Sequence, residues 1–327
     1  MSELKSENNL NPLVSIVVIT FNSSLYVLET LESAGCQTYK NIELIVSDDG
    51  STDDTVEKCN AWIEKNKDRF VRAKVLTVAC NTGIPANCNR AVRICTGEWI
   101  KIIGGDDLLL KHCIDLFVSE ISPEKEILIG LVQNFYQREE KMIESGTVPV
   151  NTRYFFFERD AKFQHNYLLT KSFNFSPGAF IRRSLYQELG YYEQRFRLLE
   201  DLPFWLKATA RGKKIHLCTN LTPCVLYRTN HESCSFTNSG FFNTKFYESL
   251  HKFYKEIIYK EVSCLNIVFY ESEFIHHLSY RIIKKVFRNK RNKYTKKLND
   301  FMEYLCLTHY IYPLLNYYYR RKYSKNR

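Results

Sequence analysis

The sequence lacks the short patterns that would assign it to several common classes. Its 11 cysteines are scattered and include no C-x-x-C pair, which argues against a disulfide framework and against a zinc knuckle. No stretch approaches the roughly 18 uninterrupted apolar residues of a membrane span, and the amino terminus has no apolar run of signal length. We therefore expect a cytoplasmic protein with reduced thiols.

Excess positive charge is missing from most of the chain. The net charge is +10, but residues 281–327 alone hold 14 Lys and Arg against 2 acidic residues. The remaining residues hold 32 basic and 34 acidic side chains. A nucleic-acid-binding protein has its cationic stripe built into the folded domain, whereas here the excess positive charge lies in the carboxyl-terminal region. This distribution predicts no nucleic-acid partner. It also separates a basic carboxyl-terminal region from the rest of the chain.

The first hundred residues show short apolar runs that alternate with amphipathic stretches. This pattern is typical of βαβ units with a parallel sheet. It predicts strands at residues 14–20, 42–46, 74–79 and 99–103, and helices at residues 53–63 and 86–94. Each predicted strand ends in a polar cluster. Because ligands of open α/β sheets bind outside the carboxyl ends of the strands, we expect these clusters to share one rim.

The first acidic cluster, DDGSTD at residues 48–53, follows a predicted strand and precedes a predicted helix. Helix entry explains part of it, since Gly50 permits a tight turn and the hydroxyl and carboxyl side chains after it can cap the helix. Capping does not explain two carboxylates at the end of the strand. Asp48 and Asp49 could instead accept hydrogen bonds from a base or a ribose.

A second acidic pair, Asp106-Asp107, follows Gly104-Gly105 at the end of another predicted strand. Glycine and aspartate both favour turns, so a simple turn is one interpretation. Adjacent carboxylates also repel each other, and a divalent cation resolves that repulsion. Mg²⁺ and Mn²⁺ prefer carboxylate oxygens together with phosphate oxygens from a substrate. The pair therefore also fits a metal site.

Two further sets of polar residues each have two interpretations when only the neighbouring sequence is considered. Glu200 and Asp201 lie on a predicted helix among apolar residues. An exposed acidic pair near a helix start simply complements the helix dipole, whereas burial would raise the pKa of a carboxyl toward a value useful to a general base. His231 stands alone in its segment, and a lone histidine is more often a surface or core residue than a ligand.

Five blocks between residues 12 and 235 carry a family resemblance through their order and spacing. They read PLVSIVVITFNSSLYVLETLESAGCQTYKNIELIVSDDGSTDDT, NTGIPANCNRAVRICTGEWIKIIGGDD, SPGAFIRRSLYQELGYYE, LLEDLPFWLKATARG and YRTNHESCS. Together they resemble the large inverting glycosyltransferase family 2, whose members share the GT-A fold. The resemblance implies an α/β fold with a Rossmann-like, mostly parallel central sheet flanked by helices. We expect a tail at residues 1–11, a GT-A domain at 12–240 and a helical, aromatic and basic region at 241–327.

The resemblance also implies roles for individual residues. It implies a donor-binding set that lines the nucleoside pocket and closes it around the nucleotide: Thr20, Phe21, Asn22, Glu29, Asp49, Asn81, Gly83 and Asp106. Within this set, Asp49 would accept a hydrogen bond from the base, most simply uracil. Asp106, Asp107 and His231 would hold a divalent metal, Mn²⁺ or Mg²⁺, and Asp201 would be the catalytic base.

The sequence departs from the family pattern at two positions. Gly104 stands where the family often begins its metal motif with another aspartate, so metal binding rests on fewer carboxylates. Cys88 stands where an arginine is common after N-x-G, which removes one phosphate contact.

The implied function is transfer of a sugar from a nucleotide diphosphate donor, with UDP the expected nucleotide, to a hydroxyl of a glycan acceptor. The expected setting is the assembly of a bacterial surface polysaccharide, such as capsule or O-antigen, on a lipid carrier. One alternative is a non-catalytic GT-A protein that holds a nucleotide sugar or a partner, which Gly104 favours. Another is a sugar nucleotidyltransferase or hydrolase, which would bring a Gly-rich, basic triphosphate loop that residues 20–25 lack.

The basic carboxyl-terminal region predicts a surface helix. Phe274, Leu278, Ile282 and Val286 recur at helical spacing, with lysines and arginines beside them. A helix of this kind lies on an anionic membrane surface, where the tyrosines further along also fit the headgroup region. We therefore expect a peripheral protein on the inner face of the cell membrane. The alternative is that these helices pack on the catalytic domain or form a homo-oligomer contact.

Overall fold

A computed structural model describes residues 11–138, 141–171, 175–229 and 240–311, together with Leu314 and Tyr317. The chain divides into two compact units. The first comprises residues 1–149 and 174–228, and the second comprises residues 150–173 and 229–327. Residues 150–173 lie within the domain expected at 12–240 but group with the second unit, and the domain plan itself stays a prediction.

The helices and strands follow one another in mixed order along the chain. The strands are β1 (Val14–Thr20), β2 (Ile42–Asp48), β3 (Arg72–Leu76), β4 (Trp99–Gly104), β5 (Leu108–Leu109), β6 (Ile127–Ile129), β7 (Leu131–Arg138), β8 (Lys141–Val148), β9 (Ala179–Arg182), β10 (Ile215–Leu217) and β11 (Pro223–Arg228). The α-helices are α1 (Val27–Gly35), α2 (Thr55–Asn66), α3 (Ile84–Ile94), α4 (Cys113–Ser119), α5 (Tyr154–Glu158), α6 (Ala161–Thr170), α7 (Arg183–Leu189), α8 (Asp201–Ala210), α9 (Thr244–Phe253), α10 (Tyr259–Glu261), α11 (Ile267–Lys285) and α12 (Lys293–Leu305). A π-helical turn, Tyr254–Ile258, joins α9 to α10.

The first unit contains a seven-stranded sheet in the order β10-β6-β9-β4-β1-β2-β3. β1 is parallel to both β2 and β4, and β2 is parallel to β3, whereas β9 is antiparallel to β4 and β6. β1 and β2 are rich in Val, Ile and Leu because both of their faces are buried, as a central parallel strand requires. The mostly parallel sheet with flanking helices confirms the predicted fold class.

The register of β1 brings three of the predicted polar clusters to one rim. Thr20 lies opposite Asp48 of β2, and Ile19 lies opposite Gly104 of β4. The segments that follow these residues therefore leave the sheet at the same edge.

Two regions differ from the sequence prediction. β3 ends at Leu76 rather than at residue 79, because its last partner on β2 is Ser47 and β2 itself ends one residue later. Between residues 110 and 170, for which the sequence analysis predicted no individual elements, the chain forms β6, β7 and β8 as well as helices. β7 and β8 belong to a second sheet, in the order β5-β11-β7-β8, and their many exposed residues weaken the apolar pattern.

The second unit is built from α5, α6 and α9 to α12. Three of its helices, α9, α11 and α12, start at asparagine caps: the side chains of Asn243, Asn266 and Asn292 each accept a hydrogen bond from the backbone amide three residues further on. The predicted helical character of the carboxyl-terminal region is confirmed. Within the ranges that the structure describes, no helix combines the length and the apolar character needed to cross a membrane.

Candidate active site

Asp48 shapes the turn that follows β2. Its carboxylate accepts hydrogen bonds from the Thr20 hydroxyl (2.9 Å) and from the amides of Gly50 (3.0 Å) and Ser51 (2.8 Å). Gly50 has a φ of 81°, and a Cβ at this position would lie 2.8 Å from the carbonyl carbon of Cys80. Only glycine tolerates both this conformation and this close approach, so Asp48 and Gly50 together fix the turn.

The neighbouring carboxylate of Asp49 is buried and occupied by protein donors. It accepts hydrogen bonds from the Thr82 amide (2.9 Å) and hydroxyl, from the Gly83 amide (2.8 Å) and from Arg90 Nη2 (3.1 Å). Burial alone would raise the pKa of Asp49, but these hydrogen bonds outweigh it and hold the pKa below its ordinary value. A carboxylate has about four acceptor sites, so the predicted hydrogen bond to a base requires one of these partners to give way.

The remaining residues of the predicted nucleoside pocket lie in adjoining turns. Phe21 is 47% exposed. Asn22 has a φ of 50°, and its side-chain carbonyl accepts a hydrogen bond from the Thr52 amide (2.9 Å). The backbone carbonyl of Asn81 accepts a hydrogen bond from Arg197 Nη2 (2.9 Å). The Asn22 contact holds the turn after β1 against the turn after β2, and the Phe21 ring is accessible to a ligand.

Asp106 and Asp107 follow β4 and direct their carboxylates toward one point. A Cβ built on Gly104 would lie 3.0 Å from Asp106 Oδ1 and 3.2 Å from Asp107 Oδ2, so these two oxygens converge over Gly104. Burial raises the pKa of Asp106, and burial together with the charge of Asp106 raises the pKa of Asp107 well above its ordinary value. Two converging carboxylates that have lost much of their hydration are suited to bind a cation.

Arg228, which ends β11, ties the acidic pair to neighbouring elements. Its amide donates to Asp107 Oδ1 (2.8 Å), its Nε donates to the Asp106 carbonyl (2.7 Å), and its Nη2 donates to Glu29 Oε2 (2.6 Å). The ring of Tyr26 lies 4.2 Å from the guanidinium carbon. The Arg228 side chain is 1% exposed, whereas that of Glu29 is 46% exposed. Glu29, predicted to line the nucleoside pocket, therefore also anchors Arg228.

Sequence reasoning missed Arg228 and Arg90 as residues of this site. Arg228 is the last residue of strand β11, PCVLYR, and Arg90 lies in α3, the helix that directly follows Gly83. The sequence did offer one signal for such a residue. It has acidic clusters without basic partners, and a basic residue ends one of its apolar strands. Spacing along the chain does not show which arginines face those clusters.

Glu200 and Asp201 lie at the amino-terminal end of α8, and both are partly buried. Burial raises the pKa of Glu200 to about 8, and the charge of Asp201 adds to this shift. Burial also raises the pKa of Asp201, although the Leu202 amide, 2.6 Å from Asp201 Oδ1, opposes the shift. The pair therefore has the raised pKa values expected of a buried general base rather than those of an exposed pair.

Cys88 lies close enough to two of the acidic groups for their charges to act on it. Burial raises the pKa of its thiol well above the ordinary value, and the charges of Glu200 and Asp49 add to the shift. Cys88 is 1% exposed and therefore offers a ligand neither a charge nor a contact surface. The positive charge beside Asp49 is instead the guanidinium of Arg90, whose Nη2 lies 3.1 Å from Asp49 Oδ1.

The predicted metal ligand His231 lies outside the residues that the structure describes. Its role stays a prediction. Asp106 and Asp107, which were predicted to share the metal with it, are adjacent and convergent.

The sequence matches the family model described as glycosyl transferase family 2 over residues 15–190, more than half of the chain. The chain belongs to glycosyl transferase family 2. The matched segment includes the turns after β1, β2 and β4, whereas Asp201 and Arg228 lie beyond it.

Several curated relatives of this family 2 chain match part of it. GlyG of Streptococcus pneumoniae, a glycosyltransferase, is 31% identical over 132 residues, which cover 40% of this chain and 42% of GlyG. The chondroitin synthase of Escherichia coli is 33% identical over 137 residues, which cover 41% of this chain and 19% of the synthase. EpsE of Bacillus subtilis is 26% identical over 241 residues, which cover 71% of this chain and 78% of EpsE. The chain thus spans less than half the length of the first two relatives.

A solved structure shares the fold of this family 2 chain. The structure of S. aureus TarS 1-349 in complex with UDP-GlcNAc covers 88% of this chain, and the match covers 79% of the TarS chain. The TM-score is 0.55 and the sequence identity is 20%. At this identity, the likeness shows a common fold.

Proposed function

We propose that this protein transfers a sugar from a nucleoside diphosphate donor, with uridine the favoured nucleoside, to a hydroxyl of a glycan acceptor, with inversion at the anomeric carbon. The observation that carries the proposal is the convergence of Asp106 Oδ1 and Asp107 Oδ2 over Gly104 at the rim of the sheet. Glu200 and Asp201 belong to the same unit. A cation-binding pair and a basic carboxylate are the two groups that such a transfer needs.

The relatives support the substrate class. The chain resembles a chondroitin synthase, and it is 26% identical over 193 residues to a PGL/p-HBAD biosynthesis glycosyltransferase of Mycobacterium bovis. TarS, which shares the fold, has been solved with UDP-GlcNAc and with UDP. These proteins support a nucleotide-sugar donor and a glycan product, and we place the reaction in the assembly of a bacterial surface polysaccharide.

A divalent cation, Mn²⁺ or Mg²⁺, fits the Asp106-Asp107 pair. The two carboxylates converge, and burial raises the pKa of both, which a facing cation would reverse. In the described part of the chain, no group of three or more His, Cys, Asp or Glu side chains could hold a metal ion. Mg²⁺ is commonly held by one or two carboxylates together with substrate phosphates, so a diphosphate would complete the ligand set, with His231 a further candidate. When bound, the cation neutralises charge that develops on the leaving diphosphate.

Asp201 is the base in this proposal, and it takes the proton of the acceptor hydroxyl. Burial raises the pKa of Asp201, and a stronger base accepts a hydroxyl proton more readily. Burial and the charge of Asp201 raise the pKa of Glu200 to about 8, so the pair favours one negative charge over two near neutral pH, and the proposal uses Asp201 as the base. Attack from the face opposite the leaving diphosphate inverts the anomeric configuration.

Uridine diphosphate with Mn²⁺ is expected to raise the melting temperature more than guanosine or deoxythymidine diphosphate with Mn²⁺. A ligand that binds only the folded state stabilises it by about 2.7 kcal/mol at a hundredfold excess over its dissociation constant. The measurement is differential scanning fluorimetry with each nucleotide, with and without metal. A shift with another nucleotide and none with UDP would show that the uridine assignment is wrong.

Product analysis with labelled UDP-sugars separates the proposed transfer from its alternatives. A labelled glycan identifies a transferase, and free labelled sugar identifies a hydrolase. Nucleotide binding without turnover, for every acceptor and metal tried, would favour the non-catalytic GT-A protein that Gly104 suggested.

We further propose that the second unit holds the protein on an anionic membrane surface. Phe274 is 68% exposed, Leu278 37% and Val286 69%, and Ile282 is partly buried between them. Phe274, Leu278 and Ile282 form an apolar row along α11, and Val286 extends the row at the carboxyl-terminal cap of the helix. The Lys and Arg side chains between residues 281 and 297 are all exposed. An exposed apolar row with exposed basic side chains favours a membrane surface, which would present a lipid-linked acceptor.

The double variant Phe274→Ser, Val286→Ser is expected to lower the partition coefficient onto vesicles with anionic lipid by at least tenfold. Each of these side chains contributes about 1.5–3 kcal/mol when its apolar surface is buried, and each nearby basic residue adds about 1 kcal/mol at low salt. The measurement is sedimentation of the full chain with vesicles at low and high salt. Leu265→Ser is the control, because Leu265 is 83% exposed but lies before α11. A full chain that stays in the supernatant at low salt contradicts the membrane role and favours the oligomer alternative.

A further inference from the structure

Two adjoining cavities lie in the second unit. Their volumes are about 360 and 550 Å³, and both are lined by Tyr247 and His251. Both volumes fall within the range of small-molecule sites, about 300–1,000 Å³. No residue assigned above to the donor, the metal or the base lines either cavity.

Four aromatic rings line the smaller cavity. The rings of Tyr247 and Tyr280 stack with centroids 3.7 Å apart, and those of His251 and His277 stack with centroids 4.4 Å apart. The Tyr247 hydroxyl lies 3.2 Å from His277 Nδ1. Burial lowers the pKa of both histidines, so both imidazoles are neutral near pH 7. The result is an uncharged platform of stacked aromatic rings with hydrogen-bonding edges.

Hydrogen-bonding side chains line the larger cavity. Asn299 Nδ2 donates to Glu303 Oε1 (2.7 Å), and Glu273 forms a hydrogen bond with the Tyr259 hydroxyl. Burial raises the pKa of Glu273 to about 7, so this carboxyl can both accept and donate a hydrogen bond near neutral pH. Phe269, which is 3% exposed, also lines this cavity.

The charges around the two cavities nearly balance. The smaller cavity is lined by Glu248 and Glu256 and by Lys252 and Lys255. The larger cavity has the carboxyls of Glu273 and Glu303, together with Lys171. Neither cavity therefore selects a phosphate or another strong anion. The combination suits a neutral ligand with many hydroxyl groups.

We propose that the two cavities together bind consecutive sugar residues of the glycan acceptor. A sugar ring has a C–H face that packs on an aromatic ring and an edge of hydroxyls that pairs with carboxyl, amide and imidazole groups. The platform around Tyr247 takes the face of one sugar, and the groups around Glu273 take the hydroxyls of the next. That these cavities bind a glycan is independent of the proposed function. Only the statement that this glycan is the acceptor rests on the proposed function.

The test is binding of the full chain, without nucleotide, to an array of bacterial surface oligosaccharides, followed by calorimetry with the glycans that bind. Tyr247→Ala and Glu273→Gln are each expected to weaken binding at least tenfold, because one removes the ring and the other removes the carboxyl. Tyr247→Phe keeps the ring and is expected to bind within about twofold of the wild type. Melting temperatures show that each variant is folded, and Glu273→Gln preserves side-chain shape if Tyr247→Ala does not fold.

The outcomes separate this inference from the proposed function. The inference is overturned if no arrayed glycan binds the wild type, or if Tyr247→Ala and Glu273→Gln bind as the wild type does. Binding that is lost in Asp201→Asn but kept in Glu273→Gln would place the glycan at the catalytic rim and also overturn it. Glycan binding that depends on Tyr247, in a protein that transfers no sugar, would support the cavities while the proposed function failed.

Discussion

Replacing Asp201 with asparagine is expected to reduce sugar transfer by about a hundredfold to ten-thousandfold, the usual cost of losing a positioned general base. Asparagine keeps the shape of the side chain at the start of α8 but cannot take the proton of the acceptor hydroxyl. Donor binding is expected to remain nearly unchanged, because the acidic pair after β4 is intact. The measurements are initial rates with a labelled nucleotide sugar and the melting shift with UDP and Mn²⁺.

Glu200→Gln is the matched control for this prediction. It alters the neighbouring carboxyl, which burial keeps mostly protonated at neutral pH, so most activity is expected to remain. In the wild type, the acidic limb of the pH profile is expected above the ordinary aspartate range, because burial raises the pKa of Asp201. Full activity in Asp201→Asn together with loss in Glu200→Gln would move the base to Glu200.

Replacing Asp106 with asparagine is expected to lower metal-dependent transfer by at least a hundredfold. A bound metal contributes several kcal/mol of charge stabilisation in the transition state, and about 1.4 kcal/mol corresponds to a tenfold change in rate. The amide cannot supply the negative charge that faces the cation. Initial rates over a titration of Mn²⁺ measure the loss, and excess metal is expected to restore only part of it.

The same variant is expected to melt at a higher temperature than the wild type when a chelator is present at pH 8. Burial raises the folded-state pKa of Asp106, so the ionised group destabilises the folded protein at any pH above that value. The difference between the two proteins is therefore expected to shrink as the pH falls through the folded-state pKa. Asp54→Asn changes a half-exposed carboxylate that pairs with Lys58 and serves as the control. Unaltered metal dependence in Asp106→Asn would show that the cation lies elsewhere.

The sequence was most informative about the sheet, because burial on both faces leaves a direct signature in a parallel strand. The runs VSIVVIT and IELIV identified β1 and β2 almost to the residue. Parallel pairing then brought the polar clusters after these strands to one rim, which required no knowledge of side-chain contacts.

Contacts between distant segments could not be predicted in this way. The bond from the Arg228 amide to Asp107 joins residues 121 positions apart, and the bonds that occupy Asp49 come from a loop more than 30 positions away. Local spacing suggests where a carboxylate lies but not which donors already occupy it. For the same reason the sequence did not show that the rings of His251, on α9, and His277, on α11, stack in the fold.

Arg228 marks a practical junction for building chimeras within the family. Its backbone and guanidinium fasten β11 to the acidic turn after β4 and to Glu29 of α1, so these parts form one hydrogen-bonded module. A crossover placed after residue 228 exchanges everything downstream and keeps that module whole. A crossover placed before β11 would take position 228 from the other parent. That residue would then have to form these hydrogen bonds with segments from a different protein.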